Sequence, residues 1–274
     1  MTINCNGILI DLTSPKIMGI LNITPDSFYD GGKYIKDREI LLQVEEMLRE
    51  GATFIDIGAY SSRPGAEHVC EEEEINRILP AVTSVLERFP EALLSIDTFR
   101  SKVAKECIEA GAAIVNDISA GNMDTDMFQT VADLKAPYVM MHMKGTPQTM
   151  QKDPTYDDIS KEMMHYFSKK INEAKSLGIK DIIIDPGFGF GKTIEHNYEV
   201  LSKLALFKNL EMPILVGVSR KSMIYKILNS SPSEALNGTT VVNTIALTKG
   251  ANILRVHDVK EAMECIKLAE MLNP

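Results

Sequence analysis

A chain of 274 residues, 45% hydrophobic and 24% charged, is long enough to bury a sizeable core in one large domain, which excludes a disordered, fibrous or small stapled scaffold. Its 29 Lys and Arg against 38 Asp and Glu leave a formal net charge of -9. That balance argues against a nonspecific nucleic-acid binder and against an anionic membrane surface as partner, so any anionic substrate must meet basic side chains gathered locally.

No apolar run nears the roughly 20 residues of a membrane helix. The start, Met1-Thr2-Ile3-Asn4-Cys5, lacks the basic-then-apolar plan of a secretory signal, and a soluble, cytoplasmic protein is expected. Cys5, Cys70, Cys107 and Cys265 are scattered singly, without metal-ligand or disulfide spacing, and read as packing residues.

In chain order, residues 2–12 come first and carry Asn6-Gly7 between short apolar runs, the signal of a two-residue hairpin that could plug the bottom of a barrel. Eight buried-strand runs follow: Ile17 to Leu21, Phe54 to Ile57, Leu93 to Ile96, Ala113 to Val115, Tyr138 to Met141, Ile182 to Ile184, Ile214 to Val218, and Ile253 to Val256. Most are continuously apolar, as parallel strands covered on both faces require. Amphipathic stretches separate them, for example Ile40, Leu41, Val44, Met47 and Leu48, then Ile75, Ile78, Leu79, Val82, Val85 and Leu86. Gly51, Gly111, Gly178 and Gly250 stand where C-terminal helix caps belong. Repeated βα units of this number predict an α/β chain folded as a (β/α)8 TIM barrel with a short N-terminal β-hairpin; an open doubly wound sheet is the other solution on pattern alone. No linker or charge block divides the chain, so residues 1–274 read as one domain. The run Glu71 to Glu74 reads as the acidic first turn of a helix.

Uncommon polar residues fall just after the apolar runs: Asn22, Asp56, Asp97, Asn116 with Asp117, His142, Asp185, Ser219 with Arg220 and Lys221, and Arg255 with His257. In a barrel all of them reach the C-terminal rim, where such enzymes keep their active sites. A single carboxylate there, such as Asp56 or Asp117, is more often a cap; the recurrence in nearly every unit is what points to a site.

The loops after the strands add chemistry. Thr24-Pro25-Asp26-Ser27-Phe28-Tyr29-Asp30-Gly31-Gly32 reads as a substrate-covering loop, and Ser61-Ser62-Arg63-Pro64-Gly65 offers hydroxyls and a guanidinium to phosphate oxygens. Gly187-Phe188-Gly189-Phe190-Gly191-Lys192-Thr193 fails as a Walker loop because Pro186 stands where glycine is required. It fails equally as a dinucleotide fingerprint. A glycine-rich approach loop after Asp185 remains, with Phe190 as a flat wall for a planar ligand. Arg63, Arg220, Lys221, Arg255 and His257 supply cationic donors, while Asp97 and Asp185 supply carboxylates. A ligand with an anionic group at one end and an amidine-like edge at the other suits that combination.

The chain carries Met18-Gly19-Ile20-Leu21-Asn22-Ile23-Thr24-Pro25-Asp26-Ser27-Phe28 with Asp30-Gly31-Gly32, Asp56-Ile57-Gly58, Ser62-Arg63-Pro64-Gly65-Ala66, Ser95-Ile96-Asp97-Thr98, Asn116-Asp117-Ile118, Met141-His142-Met143, Asp185-Pro186-Gly187-Phe188-Gly189-Phe190, Ser219-Arg220-Lys221-Ser222 and Arg255-Val256-His257-Asp258-Val259. Taken together these motifs resemble those of the dihydropteroate synthase family, within the pterin-binding barrels. The likeness runs in order from about residue 17 to 259. In the second loop this chain departs from it: Tyr60 stands where the family has glutamate, and Ser62, which keeps the hydroxyl, where it has threonine.

The resemblance implies condensation of 7,8-dihydropterin-6-ylmethyl diphosphate with p-aminobenzoate, giving 7,8-dihydropteroate and pyrophosphate, a step of folate synthesis. It implies a pterin pocket of Asp97, Asn116, Asp185 and Lys221, with Asp185 accepting from the amino-pyrimidinone edge, Arg255 stacking on the ring, and Ile118, Met140 and Phe190 as apolar walls. It places the diphosphate against Asn22, Arg63, Arg255 and His257, with Mg²⁺ bridging Asn22 and the phosphate oxygens, and p-aminobenzoate among Phe28, Pro64, Lys221, Ser222 and the backbone near Ser219; Ser62 and Gly217 are further substrate-binding residues it implies. Asp97, Asp185, Lys221, Arg255, Asn22 and Asp30 are the implied catalytic set, and a homodimer through residues 233–272 is the implied assembly. A methyltetrahydrofolate-binding methyltransferase and a non-catalytic pterin-binding protein share such a pocket. The loops around Phe28 and Arg63 favour the synthase over the first, and Mg²⁺-dependent turnover discriminates the second, in which Asn22, Arg63 and His257 would have no common purpose.

Overall fold

The computed structural model describes residues 1–23, 33–60, 69–147, 149–150 and 154–272. The chain opens with β1 (Thr2–Cys5) and β2 (Ile8–Asp11), paired antiparallel across Asn6 and Gly7. Both turn residues have positive φ, 52° and 87°, which gives the turn a twist matching the flanking strands. The Asn6 amide donates to the Gly111 carbonyl at 3.0 Å, tying the hairpin to the barrel floor. Ile3, Cys5 and Leu12 are buried against Met18, Phe54, Ile114, Val139, Ile183, Leu215 and Ile253, so the hairpin plugs the barrel's N-terminal end as its sequence suggested.

Eight parallel strands follow: β3 (Lys16–Asn22), β4 (Phe54–Gly58), β5 (Leu93–Asp97), β6 (Ile114–Asp117), β7 (Tyr138–Met141), β8 (Ile182–Asp185), β9 (Leu215–Val216) and β10 (Ile253–Val256). Each pairs with its predecessor from β4 to β8, while β10 lies between β9 and β3. The Ile184–Ile214 bridge joins β8 to the start of β9 and brings the two edges together. That contact decides for the barrel over the open sheet. The expected strand at 214–218 shortens to Leu215–Val216 in the ladder, with Ile214 bridged to Ile184 and the Val218 carbonyl already accepting from the Lys221 N–H in the turn that follows.

Helices α1 (Lys33–Glu50), α2 (Glu71–Arg88), α3 (Ser101–Glu109), α4 (Met127–Leu134), α5 (Ile159–Ser176), α6 (Ile194–Ser202), α7 (Ser222–Tyr225), α8 (Leu236–Thr248) and α9 (Val259–Glu270) surround the sheet. Gly51, Gly111, Gly178 and Gly250 follow α1, α3, α5 and α8 with φ of 106°, 111°, 99° and 100°, the left-handed cap that ends a helix. Among the described residues no helix is long and apolar enough to cross a membrane. Cys5, Cys107 and Cys265 are buried as packing residues, whereas Cys70 is exposed.

Side-chain alternation along the strands creates the site. Leu94, Ile96, Tyr138, Met140, Ile182 and Ile184 face outward into the helix-covered core. The inward positions start apolar at the floor with Phe54, Ile114, Val139, Ile183 and Ile253. Two residues further along, the same inward rows carry Asp56, Asn116, Met141, Asp185 and Arg255. The barrel interior thus changes from apolar to polar toward the C-terminal rim.

Two acidic groups do other work. Glu74 is wholly buried, accepting from Thr98 at 2.7 Å and pairing with Arg100, so the Glu71–Glu74 run is more than an acidic first turn. Asp117 faces outward and accepts from the Tyr138 hydroxyl at 2.6 Å and from the Ser119 and Gly121 N–H groups, each at 2.7 Å. It closes the turn after β6, the capping role that a lone strand-end carboxylate usually has.

Candidate active site

Three groups of side chains meet at the C-terminal rim. The first centres on Arg255, on β10. Its Nε donates to Asp56 at 2.6 Å and its NH2 nitrogen to Asp97 at 2.7 Å. Asn116 donates to the same Asp56 oxygen at 3.0 Å. Asp56 is 0% exposed, so this carboxylate, reached from Phe54 by one strand repeat, is the anchor that aims Arg255 across the barrel. Gly58 makes room for the pair, because a Cβ there would lie 3.3 Å from that of Asp97.

The second group is Asp185 with Lys221 and the turn 187–190. Asp185 accepts from the Gly187 N–H at 2.7 Å. The Lys221 ammonium donates to the Phe188 carbonyl and lies 4.9 Å from the centre of the Phe190 ring. Gly217 is next to both cationic residues, a Cβ there falling 3.8 Å from that of Arg255 and 4.0 Å from Lys221 Nζ. The third group is Ser219 and His257, whose Oγ and Nδ1 are 3.0 Å apart. Asn22 closes β3 beside Gly58, and Ser222 opens α7.

The electrostatics follow from enclosure. Burial pushes Asp97 up to about 7, with Asp56 adding to the rise and Arg255 opposing it. Burial likewise raises Asp185 against the pull of Lys221 and the Gly187 N–H. Lys221 is pushed down to about 8 by burial and by Arg255, with Asp185 pulling the other way. Burial lowers Lys192 to about 7 while Asp185 opposes, and burial with Lys192 lowers His142 to about 2, leaving a neutral imidazole. A rim that gathers Asp56, Asp97 and Asp185, the Asn116 amide and the cations Arg255 and Lys221, with shifted proton affinities at Asp97, Asp185 and Lys221, is arranged for recognition and charge stabilisation.

The structure corrects two expectations. Met140 faces the outer core with Tyr138, because inward positions on β7 are odd-numbered. Met141 takes the inward place and clusters with Phe99, Ile118, Met143 and Met150 against Phe190. Arg220, expected among the cationic donors of the rim, is bidentate on Asp258 at 2.9 and 2.7 Å and donates to the Pro232 and Ser233 carbonyls. Asp56 and Met141 were missing from the implied site although period-two alternation from Phe54 and Val139 marks both. Phe28, Asp30, Ser62, Arg63 and Pro64 lie outside the described residues.

Tyr60 also finds its surroundings. Its ring meets that of Phe99 edge-on at 5.1 Å, and the Arg100 guanidinium lies 5.4 Å from its centre. An aromatic face thus stands beside a cation where the family's glutamate would have brought a charge.

Residues 18–257 match the family model described as "Pterin binding enzyme". Over 272 residues the chain is 43% identical to the dihydropteroate synthase of Escherichia coli K12, covering 98% of this chain and 96% of that one. A crystal structure of Yersinia pestis dihydropteroate synthase in a sulfonamide drug complex superposes with a TM-score of 0.93 at 41% identity, covering 99% of both chains. The Xanthomonas albilineans dihydropteroate synthase solved with 4-aminobenzoic acid gives a TM-score of 0.92 at 35% identity, covering 99% of this chain and 97% of that one.

Proposed function

The chain belongs to the pterin-binding enzyme family, to its dihydropteroate synthases, and from that premise we propose how its rim carries out the condensation. Asp185 accepts from the amino-pyrimidinone edge of the dihydropterin. Asn116 and Asp97 complete the edge, while Met141, Ile118 and Phe190 enclose the ring. Arg255 serves both ends, covering the ring and reaching toward the diphosphate. Asn22, Ser62, Arg63 and His257 hold the diphosphate, and Phe28, Pro64, Gly217, Ser219, Lys221 and Ser222 surround p-aminobenzoate. The observation that carries this reading is Arg255 fixed between Asp56 and Asp97, beside Asp185 and Lys221, which are both held by the turn 187–190.

The bond between the pterin methylene and the diphosphate oxygen breaks, and pyrophosphate leaves with the electron pair. The electron-rich dihydropterin delocalises the resulting positive charge, so the substitution runs dissociatively. Asp97 and Asp185 stabilise that charge; Arg63, Arg255 and His257 stabilise the departing anion. The amine nitrogen then bonds to the methylene carbon and releases a proton to solvent. An aromatic amine is neutral at pH 7, so this step needs no strong base.

The Asn22 amide oxygen is a hard donor of the kind Mg²⁺ accepts, and among the described residues no cluster of His, Cys, Asp or Glu offers a dedicated cage. That donor set fits an ion carried largely by water and substrate phosphates, with Asn22 as its protein ligand. Bound there, the ion would neutralise phosphate charge. The exposed apolar residues Val241 on α8 and Leu268 on α9 support a homodimer through these late helices.

The test supplies dihydropterin diphosphate with and without p-aminobenzoate and Mg²⁺, following pyrophosphate and dihydropteroate together. Release that requires both additions and equals product is expected; bound pterin without release would refute synthase activity. Arg63→Ala should lower turnover about a hundredfold while pterin affinity survives, since one preorganised donor to a leaving anion is worth about 3 kcal/mol. An equal loss of pterin affinity by calorimetry would move Arg63 away from the diphosphate.

A further inference from the structure

We propose that Lys192 and His142 are positioning residues that hold the turn from Asp185 to Phe190 in the shape the pterin requires, an inference that rests on the pterin site proposed above. Lys192 is 3% exposed. Its Nζ donates to the carbonyls of Gly187 at 3.0 Å, Phe190 at 3.0 Å and His142 at 3.2 Å, and stands 3.0 Å from His142 Nδ1. Carbonyl oxygens only accept, so together with His142 Nδ1 four acceptors surround the three N–H protons of an ammonium, one proton being shared between two of them. His142 must then turn the lone pair of Nδ1 toward Lys192, which places its own proton on Nε2.

The carbonyls come from two segments, the exit of β7 and the turn after β8, and one buried cation ties them together. The turn needs such a tie. Gly187, Gly189 and Gly191 all have positive φ, 67°, 81° and 60°, a conformation whose ordering costs more entropy than that of any other residue. The turn also presses on β7, since a Cβ at Gly187 would lie 2.1 Å from the His142 carbonyl oxygen. Lys221 holds the pocket side of the same turn through the Phe188 carbonyl, so Lys192 is its counterpart from behind.

The consequence for the pocket is direct. Asp185 Oδ1 accepts from the N–H of Gly187, the residue whose carbonyl Lys192 holds. The carbonyl of Phe190, whose ring is the pocket wall, is held by the same atom. Displacing Lys192 Nζ therefore shifts the carboxylate and the wall together. Lys192 and His142 are 3% and 5% exposed, and both act through the turn.

The experiment titrates the full chain and three variants, Lys192→Met, His142→Leu and His142→Asn, with 6-hydroxymethyl-7,8-dihydropterin. Each titration is paired with a thermal melt and with the KM for p-aminobenzoate. Binding by the unaltered chain establishes the pterin site by itself, and its absence would defeat that reading before any variant is compared. Lys192→Met and His142→Leu should weaken pterin binding about tenfold, with cooperative melting and a KM for p-aminobenzoate within about threefold, as small misplacements of a positioned group do. His142→Asn, whose Oδ1 can take the place of Nδ1, should recover most of the affinity. Parent-like pterin affinity in Lys192→Met, or equal loss in His142→Asn and His142→Leu, would overturn the assignment. So would an affinity loss accounted for by the unfolded fraction. If Lys192→Met does not fold, the His142 pair decides alone.

Discussion

Arg255→Met should abolish turnover and also destabilise the protein, by about 3 kcal/mol at pH 8, because removing one partner of a buried ion pair leaves the other charges uncompensated. Arg255 holds Asp56 at 2.6 Å and Asp97 at 2.7 Å, and Asp56 is 0% exposed, so the methionine leaves both carboxylates without their cation. The effect should depend on pH in a defined direction. Asp97 is already raised to about 7 in the folded chain, above its ordinary 3.8, so the native state holds this proton more tightly than the unfolded state. Its contribution to stability is therefore present at low pH and lost as pH rises through about 7. Loss of Arg255 raises Asp97 further, so the variant gains more stability on acidification than the parent does. Denaturant unfolding at pH 8 and pH 5 should show a large deficit at pH 8 and a smaller one at pH 5. A deficit independent of pH would mean that Asp97 is not the group left uncompensated.

Asp185→Asn should weaken pterin binding several hundredfold, about 3 to 4 kcal/mol, within the range for breaking a buried charged hydrogen bond. The substitution is nearly isosteric, and the amide oxygen can still accept from the Gly187 N–H as Asp185 Oδ1 does at 2.7 Å. What changes is the other terminal atom, which becomes a donor facing the donors of the pterin edge. Two donors then oppose each other in an enclosed site, and neither recovers its water. Calorimetry on the folded variant measures the loss directly, and unchanged affinity would place the pterin anchor elsewhere. Because Arg255 and Asp56 remain intact, little change in stability is expected.

The two substitutions separate what the rim does to itself from what it does to a ligand. Arg255 is held by protein carboxylates before any substrate arrives, so its loss registers in the free chain. Asp185 is raised by burial against the pull of Lys221, and its loss registers mainly when a pterin is added.

Much was readable in the sequence for identifiable reasons. Strand runs are apolar because parallel strands are covered on both faces, and Gly51, Gly111, Gly178 and Gly250 mark helix ends because a left-handed cap favours glycine. Asn6-Gly7 announced its hairpin because a tight turn with two positive φ angles admits few residue types. Asn22, Asp97, Asn116, Asp185, Lys221 and Arg255 were visible because polar groups at the ends of buried strands are costly unless used. These are local constraints, and local constraints are written in order along the chain.

The tertiary structure decided which way each side chain points and which distant groups share a bond. Met140 and Met141 are equally apolar neighbours, and only the register of β7 against its partners turns Met141 inward. Asp56 looked like Asp117 at a strand end; one meets Arg255, 199 residues away, while the other closes a turn against Tyr138. Arg220 and Lys221 are adjacent cations, and only folding sends the first to Asp258 and the second to the turn after β8. Lys192 read as part of a failed phosphate loop until the fold surrounded its ammonium with three carbonyls. By itself the sequence determined the kinds of element and the inventory of polar groups, because both depend on nearest neighbours. Which groups became partners depended on barrel closure, which brings residues far apart in the chain within a few ångströms.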